Sequence, residues 1–494
     1  MPQTIKVDPV TRVEGHLKVE ATLDDDNVVD EARCIGTLFR GIEVILKDRD
    51  PRDALFITQR ICGVCPTAHA TASVLALDDA FDVAPPSNGR IIRNLILGAN
   101  FIQSHLLHFY HLAGLDYAKG PDRAPFLPRY EGDTRLSEAQ NQRIVDHYLK
   151  ALKVRMKAQE MVAIFGGKMP HIATFLPGGV TEMPEADEIA RFHSILNLLR
   201  DFVDATYIPD VLTVAAAYDD YFSVGPSCGG LLAHGGFPLD DDGETMLFPG
   251  GVYADGELSP FNAGQIAEDV RYAWYHQRTT GQHPSEGTTK PEATGILKPE
   301  AYSWVKAPRY DGRPLEAGPL ARMMVAYQSG ASPAVTDLVD ETLAEAGLSL
   351  NALCSVMGRH LARALECKVI ADAMEDWLWQ LDLDGTVYAH AGVPDSADGV
   401  GLAEAPRGAL GHWLRVAEGK IANYQVITPT NWNASPHDDD GHPGPLEQTL
   451  VGTPIRDPHN PVEIVRTVRA FDPCLACAVH LATPKRDLGA FRVV

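Results

Sequence analysis

Apolar residues recur every three or four positions along much of this chain, a spacing that predicts a helical protein with strands in a few places. Between Arg90 and Leu112, the residues Ile92, Leu95, Ala99, Ile102, Leu106 and Phe109 keep that spacing and predict one long helix. Asn141 to Ile164 and Glu185 to Ala205 repeat it, and Thr67 to Phe81 carries a shorter version with Val74, Leu75 and Leu77 among small residues. Helix is expected again from Pro319 to Ser329 and from Ser349 to Leu381. Alternation of period two in Ile5-Lys6-Val7 and Leu17-Lys18-Val19-Glu20-Ala21 predicts a strand or hairpin between residues 4 and 24. Gly36 to Lys47 reads as a turn entering a helix. Residues 224–320 are rich in glycine and proline and read as irregular, with short strands. Thr386 to Leu402 reads as loop and strand, and a strand-rich stretch from Ala405 is expected to end in Ile427 to Asn433. His437 to His442 reads as an exposed loop whose aspartates form a solvated turn, with cation binding as the lesser alternative.

These elements describe a mostly α protein with additional β (α+β), in which a core of long helices brings the two ends together. Residues 1–480 are expected to form one large unit. Its zones are an N-terminal strand region (1–60), a helical core (61–223), an irregular strand-containing region (224–320) and a helical, metal-binding C-terminal region (321–480).

The candidate chemistry sits at the two ends. Cys62-Gly63-Val64-Cys65, followed by His69, has its echo in Cys474-Leu475-Ala476-Cys477, followed by His480. Two CxxC pairs offer four thiolates, a donor set suited to a soft metal. Pro66 follows one pair and Pro473 precedes the other, so both are expected at helix N-termini, where the helix dipole favours thiolate. Asp472 reads as a cap of the second helix, and His69 falls on the same helix face as Cys65.

Composition narrows the partners. The 494 residues carry a formal net charge of −23, which argues against nucleic acid. No apolar run reaches the length of a membrane span, and the N-terminus reads as lacking a secretion leader. Of the eight cysteines, Cys34, Cys228, Cys354 and Cys367 stand singly and read as small buried hydrophobes.

Over the whole chain the sequence resembles the large, catalytic subunit of nickel–iron hydrogenases. The resemblance rests on RICGVC at 60–65 and DPCLACAVH at 472–480. It is supported by TRVEGHL at 11–17, FRGIE at 39–43, HFYHLAGLDY at 108–117, GGKMPH at 166–171, APRGALGH at 405–412 and TPTNWN at 428–433. The blocks are similar to the periplasmic uptake type, and the compact length is similar to the nickel–iron–selenium branch. Position 474 is a cysteine where that branch has selenocysteine, so the sulfur form is expected.

The resemblance implies reversible heterolytic cleavage of dihydrogen, with electrons passed to an iron–sulfur small subunit. It implies nickel held by Cys62, Cys65, Cys474 and Cys477, with Cys65 and Cys477 bridging to an iron that carries carbon monoxide and two cyanides. Cys474 would take the proton and Glu14 would pass it outward; on the residues alone, Glu14 reads as a surface carboxylate. Arg407 would stand over the open metal position, with Pro406 beside it and Thr430 facing a cyanide. His69 would hydrogen-bond near a bridging sulfur. Glu43, the backbone carbonyl near Val426, and His480 would hold a magnesium ion. Asp472 would either pair with Arg407 or cap its helix. Ser104 stands where many relatives have an aspartate, which removes a carboxylate partner for Arg407.

The resemblance also implies removal of residues 481–494 by an endopeptidase cutting after His480. Iron–sulfur clusters would lie only in the partner subunit, contacted through the helices 90–112 and 141–164, with a cytochrome or other acceptor reached indirectly. Periplasmic localisation by co-export with the small subunit is implied, with a cytoplasmic location as the alternative. Three competing readings are weaker. A dihydrogen sensor usually ends at the histidine. A structural zinc protein usually has its cysteine pairs much closer together, and that reading leaves Glu14, Glu43 and Arg407 unexplained. The related quinone-reductase subunit generally lacks the four cysteines.

Overall fold

The antiparallel strands Gln3–Val7, Leu17–Leu23 and Val29–Gly36 open the chain as a three-stranded sheet. Alternation in the middle strand turns Leu17, Val19, Ala21 and Leu23 inward. The computed structural model describes residues 3–478 apart from 125, 128, 130–131 and 293–297. In it, the inner face of this sheet shares one apolar cluster with Leu446, Ile464, Val465, Val468, Phe471 and Leu475, from the other end of the chain. Burial of that shared surface brings residues 14 and 474 side by side.

Helix makes up 44% and strand 19%, so the mixed, mainly helical class holds. The central helix Ser87–Leu106 is buried almost throughout and packs on Glu138–Gly166 and Val356–Trp379. It was expected to continue to residue 112. Instead it widens into a π-helical segment, Leu107–Ala113, a departure often found at functional sites. Ser87–Leu106 is buried within this chain, whereas Leu149, Leu152 and Met156 are exposed along Glu138–Gly166.

Other differences have local causes. Pro429–Asn433 is a helix rather than the end of a strand. Thr428 caps it by accepting from the Asn431 N–H, and Pro429 stands at its first position. Pro333–Ala346 is an additional helix, opened by a Ser-Pro pair and closed by Gly347 at φ 66°. The aspartate run is not a solvated turn. Asp438 is buried and pairs with Arg309 at 2.8 Å, while Asp439 accepts from the hydroxyl of Thr280 at 2.8 Å. Cys34 and Cys367 are buried as expected, but Cys228 and Cys354 are only partly covered.

A second sheet, Ser396–Ala405, Gly408–Ala417 and Lys420–Ile427, lies against the Pro66–Ala80 helix. Gly401 allows that contact, since a Cβ there would stand 1.9 Å from the Ala72 carbonyl oxygen. The helix that begins at Cys65 is thereby pressed onto the sheet whose first hairpin carries Arg407.

Candidate metal centre

Cys62 leaves a short 3-10 turn in extended conformation, and Cys65 is the N-cap of Pro66–Ala80 with Pro66 at the first position. The N–H groups of Val64 and Cys65 both point at Cys62 Sγ, at 3.3 and 3.2 Å. From the other end, Cys474 leads into the short helix Leu475–Ala478. The Leu475 N–H donates to the Glu14 carbonyl at 2.7 Å. Gly15, at φ 82°, lies so close under this turn that a Cβ would meet Ala476 N at 2.4 Å. Arg40 joins the two loops, donating to the carbonyls of Ile61 and Ala476.

All four sulfurs are buried and lie within 4.8 Å of one another. Cys62 and Cys474 are 3.4 Å apart, Cys65 and Cys477 3.9 Å, and Cys474 and Cys477 2.8 Å. Sulfurs bonded to one ion at about 2.3 Å stand no more than about 4.6 Å apart, and these three separations lie inside that reach, as a thiolate-bound metal needs. Burial pushes the Cys62 thiol up, but hydrogen bonds with Cys474, Cys477 and Cys65, and the Arg407 charge, outweigh it and bring Cys62 well below the ordinary value. Burial, with hydrogen bonds to neighbouring cysteine sulfurs, holds Cys474 and Cys477 well above it. Deprotonation of Cys474 and Cys477 therefore awaits an ion's charge.

Arg407 is buried and held charged by Asp472 and by the sulfurs of Cys474, Cys65 and Cys62, against the cost of burial. Its Nε donates to the Asp472 carbonyl at 2.9 Å and its Nη2 to Asp472 Oδ1 at 3.0 Å. Its Nη1 is buried with no hydrogen-bond partner. Asp472 thus takes the ion-pair role, and the Arg407 carboxylate partner lies in the cysteine motif itself. Ser104 Oγ is buried without a partner as well. Thr430 Oγ1 accepts from the Cys474 N–H at 2.9 Å, which leaves its own O–H to donate elsewhere. The Pro406 carbonyl accepts from Arg322 at 3.0 Å.

Glu14 is half-buried. Burial and the neighbouring Cys62 raise its carboxyl above the usual range, against the pull of Arg407 and Arg40. It borders an open pocket of about 270 Å³ together with Gly15, His16, Leu38, Arg40 and Ala476. His69 Nδ1 meets His412 Nε2 at 3.2 Å, and His412 Nδ1 meets the Tyr424 hydroxyl at 2.8 Å. Glu43 is buried, with Oε1 accepting the Val426 N–H at 2.9 Å and Oε2 the Thr289 hydroxyl. At Val426 it is thus the N–H that meets Glu43. His480 lies outside the described residues.

Sequence reasoning assigned no role to Arg40, Arg322 or His412, whose partners lie tens to hundreds of residues away; only Arg40 and His412 fell inside recognised blocks. Five imidazoles near the centre and in the core share one electrostatic property. Burial first of all holds His69, His105 and His234 at about 4, His360 at about 3 and His108 well below its ordinary value. Between pH 6.5 and 4 the unfolded chain binds these protons and the folded chain does not, so their contribution is lost as pH falls. Each is worth about 1.4 kcal/mol per pH unit in the middle of that window. Thermal unfolding should therefore shift to clearly lower temperature from pH 7 to pH 5; an unchanged or rising midpoint would contradict the buried neutral imidazoles.

The family described as nickel-dependent hydrogenase matches residues 40–120 and 118–480, and one described as HoxL-like matches residues 4–35. The chain is 47% identical to the periplasmic NiFeSe hydrogenase large subunit of Desulfomicrobium baculatum, over 97% of its own length and 95% of that protein. It is 35% identical to the quinone-reactive Ni/Fe-hydrogenase large chain of Wolinella succinogenes, over 100% and 98%. The Ni-Fe-Se hydrogenase structure from D. vulgaris Hildenborough superposes with a TM-score of 0.92 at 47% identity, covering 97% of this chain and 100% of that one.

Proposed function

Because the chain belongs to the nickel-dependent hydrogenase family, we propose that Glu14, Arg407 and Thr430 serve the reaction around a nickel–iron centre held by Cys62, Cys65, Cys474 and Cys477. The chain is the large subunit of a hydrogenase, an oxidoreductase that oxidises dihydrogen, and its relatives imply a small-subunit partner that receives the electrons. One observation carries the assignment of roles. Four buried sulfurs from opposite ends of the chain converge beside an arginine that keeps one donor unpaired.

When bound, the nickel–iron centre would supply the metals at which dihydrogen is split heterolytically, its two electrons leaving for the small subunit and its two protons needing a base. Cys474 Sγ is the base at hand for a proton. Glu14, whose backbone is bridged to Cys474, carries it towards the pocket at His16 and Arg40. A carboxyl raised above its ordinary range suits a relay, since it takes up a proton more readily than an exposed carboxylate and can still give it up. Cys62, Cys65, Cys474 and Cys477 would hold the centre, and the free Arg407 Nη1 and the Thr430 hydroxyl would be the donors for cyanide ligands on an iron that also carries carbon monoxide. Pro406 closes the same pocket, and His69 tunes the centre from beside the sulfurs.

Glu43, with Val426 and His480, is proposed to hold magnesium. A carboxylate with two donors already in place keeps lone pairs for a hard cation. Iron–sulfur clusters are assigned to the small subunit, and the exposed stripe Leu149, Leu152 and Met156 is the proposed contact. Among the described residues no helix is long and apolar enough to cross a membrane. The named relative is periplasmic, which supports a periplasmic enzyme co-exported with its partner. Removal of 481–494 by an endopeptidase, and a cytochrome or similar final acceptor, complete the proposal.

The test is an infrared spectrum of the metal-loaded protein. One carbon monoxide band and two cyanide bands are expected. Their absence from protein cleaved after His480 and shown to contain nickel and iron would overturn the assignment of the diatomic ligands.

A further inference from the structure

The Ala405–Pro406–Arg407 segment is held from behind by a single guanidinium. Arg322, in the helix Pro319–Ser329, is fully buried, and all five of its N–H groups find acceptors. Nε donates to Glu366 Oε1 and Nη2 to Glu366 Oε2 at 2.9 Å. Nη1 donates to Glu404 Oε2 and, at 2.9 Å, to the Ala405 carbonyl; Nη2 reaches the Pro406 carbonyl at 3.0 Å. The guanidinium lies over the Phe101 ring, 5.2 Å from its centroid.

A second contact ties the same helix to the same segment. Gly318, its N-cap, packs so closely on Gly408 that a Cβ on Gly408 would meet Gly318 N at 2.6 Å. Arg407 itself spends two donor groups on Asp472 and keeps Nη1 free, so its aim depends on where its backbone is held. Two buried carboxylates need one compensating charge, and a lysine could supply that. They do not need a planar fork whose last two donors reach the two carbonyls just before Arg407.

We propose that Arg322 is a positioning residue for the hydrogenase reaction: through the carbonyls of Ala405 and Pro406 it fixes where the Arg407 guanidinium stands relative to the four sulfurs. The inference rests on the reading of Arg407 given above. A purely structural Arg322 would affect stability and leave the metal centre's spectrum alone.

The experiment compares Arg322→Lys, Arg407→Lys and the double variant, each as metal-loaded heterodimer. Arg322→Lys should lower dihydrogen oxidation by about 10- to 100-fold, the scale of a displacement near 1 Å. Its cyanide bands should shift in the direction seen for Arg407→Lys, and the double variant should be no slower than Arg407→Lys alone. Wild-type bands in Arg322→Lys, or losses that multiply in the double variant, overturn the inference while Arg407 stands. A wild-type rate in Arg407→Lys removes the Arg407 reading and this inference with it. Where Arg322→Lys fails to take up metal, Glu366→Gln decides. It loosens the fork yet keeps its shape, and should shift the same bands less; unshifted bands overturn the inference.

Discussion

Replacing Glu14 by glutamine should slow dihydrogen oxidation by about two to four orders of magnitude, the usual worth of a positioned proton-transfer group. Glutamine keeps the shape and removes the titration. The Glu14 backbone stays bonded to Leu475, so the turn beneath Cys474 is retained, and Gly15 still supplies the close approach to Ala476. The loss should fall on proton exit, leaving metal uptake and the infrared bands of the resting enzyme unchanged. Reduction of the centre by dihydrogen should remain visible in the spectrum while steady-state turnover fails. Glu14→Asp should recover part of the rate, limited by its shorter reach. Full turnover in Glu14→Gln would remove Glu14 from the relay, and altered bands in the resting enzyme would mean that the substitution disturbed the centre itself.

What was legible in the sequence is local chemistry, and what was not is pairing at a distance. Cys62, Cys65, Cys474 and Cys477 announced themselves because a CxxC pair is a complete local signal, and Pro66 fixed where the first helix begins. The long helices were legible because their apolar spacing is a property of each segment alone. The widening at Leu107–Ala113 left no such mark, since a π turn changes which neighbours meet and not the spacing itself. Asp438 looked like part of a solvated acidic run because nothing nearby reveals that Arg309 lies buried against it. Arg322 sits 44 residues from Glu366 and 82 from Glu404, and no local pattern distinguishes it from a surface arginine on a helix. Asp472 stood inside a recognised motif, yet its role as the partner of Arg407 needed the fold that joins residues 65 apart. Pro333–Ala346 is different in kind. Its cap signals were present at Ser332, Pro333 and Gly347, and Val335, Leu338, Val339 and Leu343 keep helical spacing between them.

Arg407→Lys should cost about 10²- to 10³-fold in turnover, the effect of removing one preorganised donor from an electrostatic site. The charge is kept, so bulk electrostatics cannot be the cause of the loss. What is lost is geometry. Arg407 uses Nε and Nη2 on Asp472 and still presents Nη1, buried and unpaired, towards whatever the centre holds. A lysine has one nitrogen on a flexible stem, and that nitrogen can satisfy Asp472 or face the centre, but it does not hold both in a fixed plane. Asp472→Asn should behave differently. It leaves Arg407 and Arg363 in the interior without their carboxylate, and breaking such a buried pair costs about 3–5 kcal/mol of stability. The two variants therefore separate the two jobs of the pair. Arg407→Lys should fold and take up metal with a stability close to that of the parent, and fail in rate with shifted cyanide bands. Asp472→Asn should lose stability first. If both variants lost stability equally and kept similar rates per loaded centre, the pair would be a structural strut, and the donor over the metals would have to be sought in another residue.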